Sequence, residues 1–204
     1  MASTYLTRSK SSPTSDKKGT ISFWIKRSKI TQEQAIIVSG SGSIDSNIYF
    51  NGSTDKLHVY DYQSGAFNFE YITTRVFRDT SAWYAITVEI DTTLSTAADR
   101  VKIYINGVRE TAFDTSTAPS QNATPLFFTS ANPFYIGAYR GSSSYFDGLL
   151  SHFHYTDGYA YDASTFGSTD ATTGEWQINT SPSITMGTNG FTILKDGNTI
   201  TDQS

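Results

Sequence analysis

The 204 residues suit one domain with a sizeable core, and a composition 37 % apolar, 17 % charged and rich in Tyr and Phe (13 each) favours a β-sandwich over a helical architecture. With no cysteine, disulfide frameworks and thiolate chemistry are excluded. The net charge of −4 is unevenly spread: residues 1 to 30 carry seven basic residues (Arg8, Lys10, Lys17, Lys18, Lys26, Arg27, Lys29) against Asp16, leaving eight basic and eighteen acidic residues for the rest.

A basic arm on an acidic body reads either as a docking element or as a lysine-protected strand beside a solvated loop. The basic residues are neither extensive nor interleaved with stacking aromatics, so no nucleic-acid partner is expected. No run approaches the ~18 apolar residues of a membrane helix, and MASTYLTRSKSS lacks the apolar core of a signal peptide. The expectation is therefore synthesis in a cytosol without membrane insertion, and the sequons at Asn51, Asn122 and Asn179 are read as chance.

Along the chain, strand signals dominate. TYLTR (4–8) opens, followed by a Ser/Pro/Lys loop, and TISFWIKR (20–27) alternates with Ile21, Phe23 and Ile25 on one face. The only helical pattern, TQEQAIIV (31–38), ends in Ile-Ile-Val, which argues strand over 35–39. NIYF (47–50) and KLHVYDY (56–62) flank NGSTD, a hairpin loop with an Asn51-Gly52 turn signal. FEYI (69–72), WYAITVEI (83–90) and VKIYIN (101–106) follow. Asn106-Gly107 turns the chain into VRETAF, but a strict two-residue turn sets Ile103 against Glu110 on the apolar face. A glycine bulge at Gly107 is the reading that relieves this. FYIGA (134–138), SYFDGLLSHFHY (144–155) and GFTILK (190–195) complete about ten to thirteen strands, enough for two stacked antiparallel sheets. Residues 156 to 189, polar and aperiodic, read as ordered loop wrapping the sandwich. The organisation expected is one domain over 1–204: an N-terminal strand and basic loop (1–18), a core (19–157), and a wrapping extension with a final strand (158–204).

GTISFWIKRS, WYAITVEID, DRVKIYINGVRE, FYIGA and YFDGLLSHFHY, in that order, resemble the concanavalin A-like group, most closely its laminin-G and pentraxin branch. The likeness covers residues 19 to 157. YLTRSKSSPTSDKKGTISFWIKRS also resembles the opening of laminin-G-like proteins of marine bacteriophages, and DGYAYDASTFG, TGEW and GTNGF resemble their C-terminal extension. The resemblance implies an all-β, two-sheet antiparallel jelly-roll sandwich on a virion surface, made in a bacterial cytoplasm.

Four constellations bear on function. Glu89 and Asp91 lie on the face of WYAITVEID opposite Tyr84, Ile86, Val88 and Ile90, where β-glucanases of this group display carboxylates. Retaining hydrolysis needs a second carboxyl roughly 5 Å away, and Thr93 and Leu94 stand where that group's second glutamate belongs. His152 and His154 would share a strand face about 7 Å apart, compatible with a metal, but the family carries ordinary polar surface there, and surface or subunit contact is the reading kept. Asp45, Asn47, Asp91 and Asp147 offer the hard oxygens with which relatives hold calcium at one rim, although loop Asp and Asn more often cap turns. Tyr104, Tyr139, Arg140 and Tyr145 are candidate glycan contacts, aromatic faces beside a planar donor; the alternative is subunit packing or scattered surface tyrosine.

The function expected is a non-enzymatic virion structural protein, an exposed capsid decoration or a tail or fibre appendage. Capsid or tail proteins, a homotrimer and host-surface glycans are its expected partners, and calcium its one cofactor candidate. The alternatives are a dedicated carbohydrate-binding lectin and a polysaccharide hydrolase.

Overall fold

The computed structural model of the chain describes residues 3–197 and 199–204. Numbered in chain order, the strands fall into two large antiparallel sheets. One runs β1 (Leu6–Arg8), β11 (Phe134–Ile136), β3 (Gln34–Ser41), β4 (Ile44–Phe50), β5 (Lys56–Gln63), β6 (Ala66–Val76) and β10 (Phe113–Thr117). The other runs β15 (Phe191–Ile193), β12 (Gly148–Asp157), β2 (Lys18–Arg27), β7 (Tyr84–Asp91), β8 (Val101–Ile105) and β9 (Val108–Arg109). β13 (Gly167–Thr169) and β14 (Trp176–Ile178) pair with each other. This is the two-sheet all-β sandwich expected.

Period-two alternation builds the core. Ile21, Phe23 and Ile25 of β2 lie opposite Val88, Ile86 and Tyr84 of β7. Ile37, Ile48, Val59 and Tyr71 form one row across β3, β4, β5 and β6. The two inner faces meet in one cluster that includes Phe23 stacked on Phe153 at 5.5 Å. Each such side chain contributes about 1.5–3 kcal/mol through burial.

Three sequence expectations change. The Asn106–Gly107 turn is strict, pairing Ile105 with Val108 and Tyr104 with Arg109, with positive φ at both turn residues and no bulge. Glu110 N–H still donates to the Ile103 carbonyl at 2.7 Å, as the strict turn requires, and its carboxylate is accommodated by Arg75 of the facing sheet at 2.8 Å. Residues 156 to 189 are not loop throughout: they hold a single-turn 3-10 helix at Ala163–Thr165 and the β13–β14 hairpin. Strict alternation also fails at the histidines, where His152 has φ 46° and the β12–β2 register shifts between Ser151 and His154. His154 is buried rather than surface, bonded through Nδ1 to Thr192 Oγ1 at 2.8 Å and packed on Phe166.

The basic N-terminal residues are largely engaged within the chain. Arg8 pairs with Asp202, Lys17 with Asp16, Lys18 with Asp91, Arg27 with Asp55 and Lys29 with Asp147. Lys10 is bonded to Ser39 Oγ and to the carbonyls of Leu126 and Phe127, and burial lowers its pKa to about 7. Most cations of the arm are thus tied to acidic or carbonyl partners of the same chain.

Candidate functional site

The alternation that buries Ile48, Val59 and Tyr71 sends their neighbours out on the opposite side of the seven-stranded sheet. The register arranges nine of these as a grid over β4, β5 and β6. Its rows are Asp45–Tyr62–Phe67, Asn47–Tyr60–Glu70 and Tyr49–His58–Ile72. With strands about 4.8 Å apart and same-face residues about 6.8 Å apart along each, the grid spans about 10 by 14 Å.

The aromatic rings support one another. Phe67 meets Tyr62 at 5.1 Å and Tyr60 at 5.5 Å, both edge-on, and His58 sits 4.8 Å from Tyr49 and 5.0 Å from Tyr60. Phe67 nevertheless stays 43 % exposed, a large apolar ring in water on a polar face. Beside it opens a shallow hollow lined by Gln63, Asn68 and Thr124.

Hydrogen bonds fix the polar members. Burial lowers the His58 pKa to about 4, so the imidazole is neutral at pH 7 and carries one N–H. Nε2 lies 3.0 Å from Glu70 Oε1 and must donate to it, so Tyr49 donates to Nδ1 at 2.5 Å. Burial also raises the carboxyl pKa of Glu70 and the phenol pKa of Tyr49 and Tyr60. Tyr60 donates to Asp45 Oδ2 at 2.9 Å and accepts from Asn47 Nδ2 at 3.5 Å. Two buried polar atoms of this cluster lack a partner among the described residues: Asn47 Oδ1, an acceptor, and Arg140 Nε, a donor.

Of the predicted glycan contacts, Tyr139 and Arg140 come to the Asp45 corner of this grid. A tight turn there, with Arg140 at φ 50° and Gly141 at φ 70°, lets Arg140 donate to the carbonyls of Gly42 (2.5 Å) and Ile44 (3.0 Å), 3.7 Å from Asp45 Oδ2. Tyr145 donates to the carbonyl of Gly141 within the same loop. Tyr104 lies elsewhere, on the outer face of the other sheet. It donates to Glu89 Oε2 at 3.0 Å, and burial followed by the charge of Glu89 drives its pKa up. Glu89 Oε1 takes Lys102 at 2.7 Å, which leaves the carboxylate paired and 8 % exposed.

The calcium set is divided. Asp45 and Asn47 belong to the grid, whereas Asp91 stands opposite Lys18 at one end of β2 and Asp147 precedes Gly148, opposite Arg27 at the other end. The ten residues of β2 keep these two aspartates about 30 Å apart. They are held instead by Lys18 at 3.4 Å and Lys29 at 3.2 Å. Calcium needs six to eight oxygens around one point, so the predicted donors do not fit one ion, and no group of three or more His, Asp or Glu suited to a metal occurs among the described residues.

Sequence reasoning missed Tyr49, His58, Tyr60, Phe67 and Glu70. The signal was present in KLHVYDY, where His58, Tyr60 and Tyr62 alternate with Leu57, Val59 and Asp61. What was lacking was the register that places them beside Asp45 and Asn47.

The family model of the concanavalin A-like lectin/glucanases superfamily matches residues 2–159. No curated protein matches the sequence. Among solved structures, the fold is similar to domain 4 of AbnA, a GH43 extracellular arabinanase from Geobacillus stearothermophilus, solved with arabinotriose; identity is 16 %, coverage 72 % of this chain and 64 % of that one, and TM-score 0.50. It is also similar to domains LG4-5 of the mouse laminin alpha1 chain, at 12 % identity, 78 % and 41 % coverage and TM-score 0.48. The CBM40 of Ruminococcus gnavus IT-sialidase is similar at 14 % identity, 65 % and 71 % coverage and TM-score 0.47. The chain thus spans less than two thirds of the arabinanase domain and of the laminin pair.

Proposed function

The chain belongs to the concanavalin A-like lectin/glucanases superfamily, and from that premise we propose that it is a non-enzymatic glycan-binding module whose ligand lies across the β4–β5–β6 grid. The observation that carries this is the exposed Phe67 ring, braced edge-on by Tyr60 and Tyr62 beside hydrogen-bonding groups already fixed in place. A sugar presents a C–H face that packs on an aromatic ring and hydroxyls that exchange hydrogen bonds with planar polar groups. An uncovered sheet face supplies both.

The non-enzymatic part of the proposal is supported by Glu89, whose two oxygens are occupied by Lys102 and Tyr104. Thr93, in one of the positions needed for a second glutamate, bonds back to Asp91. On a virion surface, the setting implied by the likeness of the two chain ends to phage proteins, such a module would work as an exposed appendage holding host glycans.

A glycan array with and without EDTA, followed by calorimetry on the best ligand, tests the reading; arabinotriose is the first probe because a domain of similar fold was solved with it. Phe67→Ala is expected to weaken binding at least tenfold without lowering Tm. Absence of any glycan ligand, or affinity indifferent to Phe67→Ala, would overturn it. Reducing-sugar release from β-glucan, abolished by Glu89→Gln, would restore the hydrolase reading.

A further inference from the structure

Resting on the glycan-binding reading, we infer that the β4–β5–β6 face selects uncharged sugars and excludes those that carry carboxylates. The charges on and beside the grid point that way. Its carboxylates are Asp45 and Glu70, and its one imidazole, His58, is neutral at pH 7. Glu33 adds a third carboxylate nearby, held by Ser144 Oγ at 2.7 Å, and its charge opposes ionisation of both Tyr49 and Tyr139.

Neither cation bordering the grid is available to an anionic ligand. A guanidinium captures a carboxylate through two parallel N–H groups, but Arg140 has committed Nη1 to the Gly42 carbonyl and Nη2 to that of Ile44. Nη2 also lies 3.7 Å from Asp45 Oδ2, and Nε is buried. Lys56, on the same strand face as His58, is paired with Asp114 of β10. A uronic or sialic acid laid on the grid would therefore bring its charge against Asp45 and Glu70 with no free cation to receive it.

The face instead suits hydroxyl donors. Glu70 uses Oε1 for His58, and among the described residues Oε2 carries no hydrogen bond. A neutral sugar can donate there at no electrostatic cost, and a charge-assisted hydrogen bond of that kind is among the stronger polar contacts.

The test is calorimetry or an array pairing neutral oligosaccharides (arabinotriose, and cello- and xylo-oligosaccharides) with uronate-bearing oligosaccharides of equal length, at low and high ionic strength, on wild type and Glu70→Gln. Gln keeps an acceptor for His58 Nε2–H, so the fold is retained. The neutral member is expected to bind at least about tenfold tighter, about 1.4 kcal/mol. The gap should narrow in high salt and in Glu70→Gln. Equal or tighter binding of the uronate member, or a gap unaltered in Glu70→Gln, overturns the inference while leaving glycan binding intact. Binding of neither member overturns the glycan reading itself, and this inference with it.

Discussion

His58 and His154 sit on opposite sides of the sandwich, one within the candidate site and one beneath Phe166, and both are kept neutral by burial that lowers their pKa to about 4. An unfolded histidine titrates near 6.5. Between about pH 4 and 6.5 the unfolded chain therefore binds more protons than the folded one, and stability rises with pH across that window. We expect Tm to fall steadily as pH drops from 6.5 to 4, and His154→Asn, measured by the same melts, to flatten the slope whatever it does to Tm at neutral pH. A slope unchanged by His154→Asn would show that the imidazole is not the source. Single residues were the hardest scale to read in the sequence. Alternation alone placed His154 on a strand face, but neither the register slip at His152 nor the chain segment that covers that face is periodic, and together they bury it.

At the level of elements, the long alternating strands were legible because period two is written directly into TISFWIKR and WYAITVEI. The extension was not, because β13 and β14 are three residues each and show no period. What holds their hairpin is a contact no pattern announces. Trp176 lies against Gly107, so close that a Cβ added there would stand 2.2 Å from the indole, and Gly107 needs φ 77° for the strict turn. Gly107→Ala therefore combines left-handed strain with a collision, and we expect a loss of about 1–3 kcal/mol in chemical denaturation. Trp176→Ala, which removes only the packing, should speed proteolysis within residues 166–178 while leaving grid binding unchanged. If it cuts no faster, the hairpin is held by something other than Trp176.

Over the whole molecule, buried charge ties the two sheets at one end and pins connecting loops at the other. At one end Arg27 of β2 reaches Asp55 at 3.1 Å, Gln34 Oε1 at 2.9 Å and the Phe77 carbonyl at 2.7 Å, and both members of the ion pair are fully buried. Burial lowers the Arg27 pKa and the Asp55 interaction opposes it. At the other end Asp157 accepts from the backbone of Thr14, Ser15 and Asn189. Removing one partner of such a pair strands a charge, so Asp55→Asn is expected to cost about 3–5 kcal/mol by denaturant titration. A loss below about 1 kcal/mol would mean that Arg27 finds compensation among its carbonyl partners. The sequence displayed the basic cluster but not its fate, because Asp55 lies 28 positions from Arg27 and only the stacking of the sheets joins them.

The sheets also end in a particular way. Three of their outermost strands, β1, β9 and β15, contribute two or three residues each, and the longest, β10, has five and carries the Asp114 that pairs with Lys56. Amyloid-like and edge-to-edge stacking need a longer uncharged template than any of these supplies. A protein that exposes a phenylalanine ring on one sheet face can thus remain dispersed at high concentration, because its tacky surface lies on a face while its margins are too short to recruit another chain.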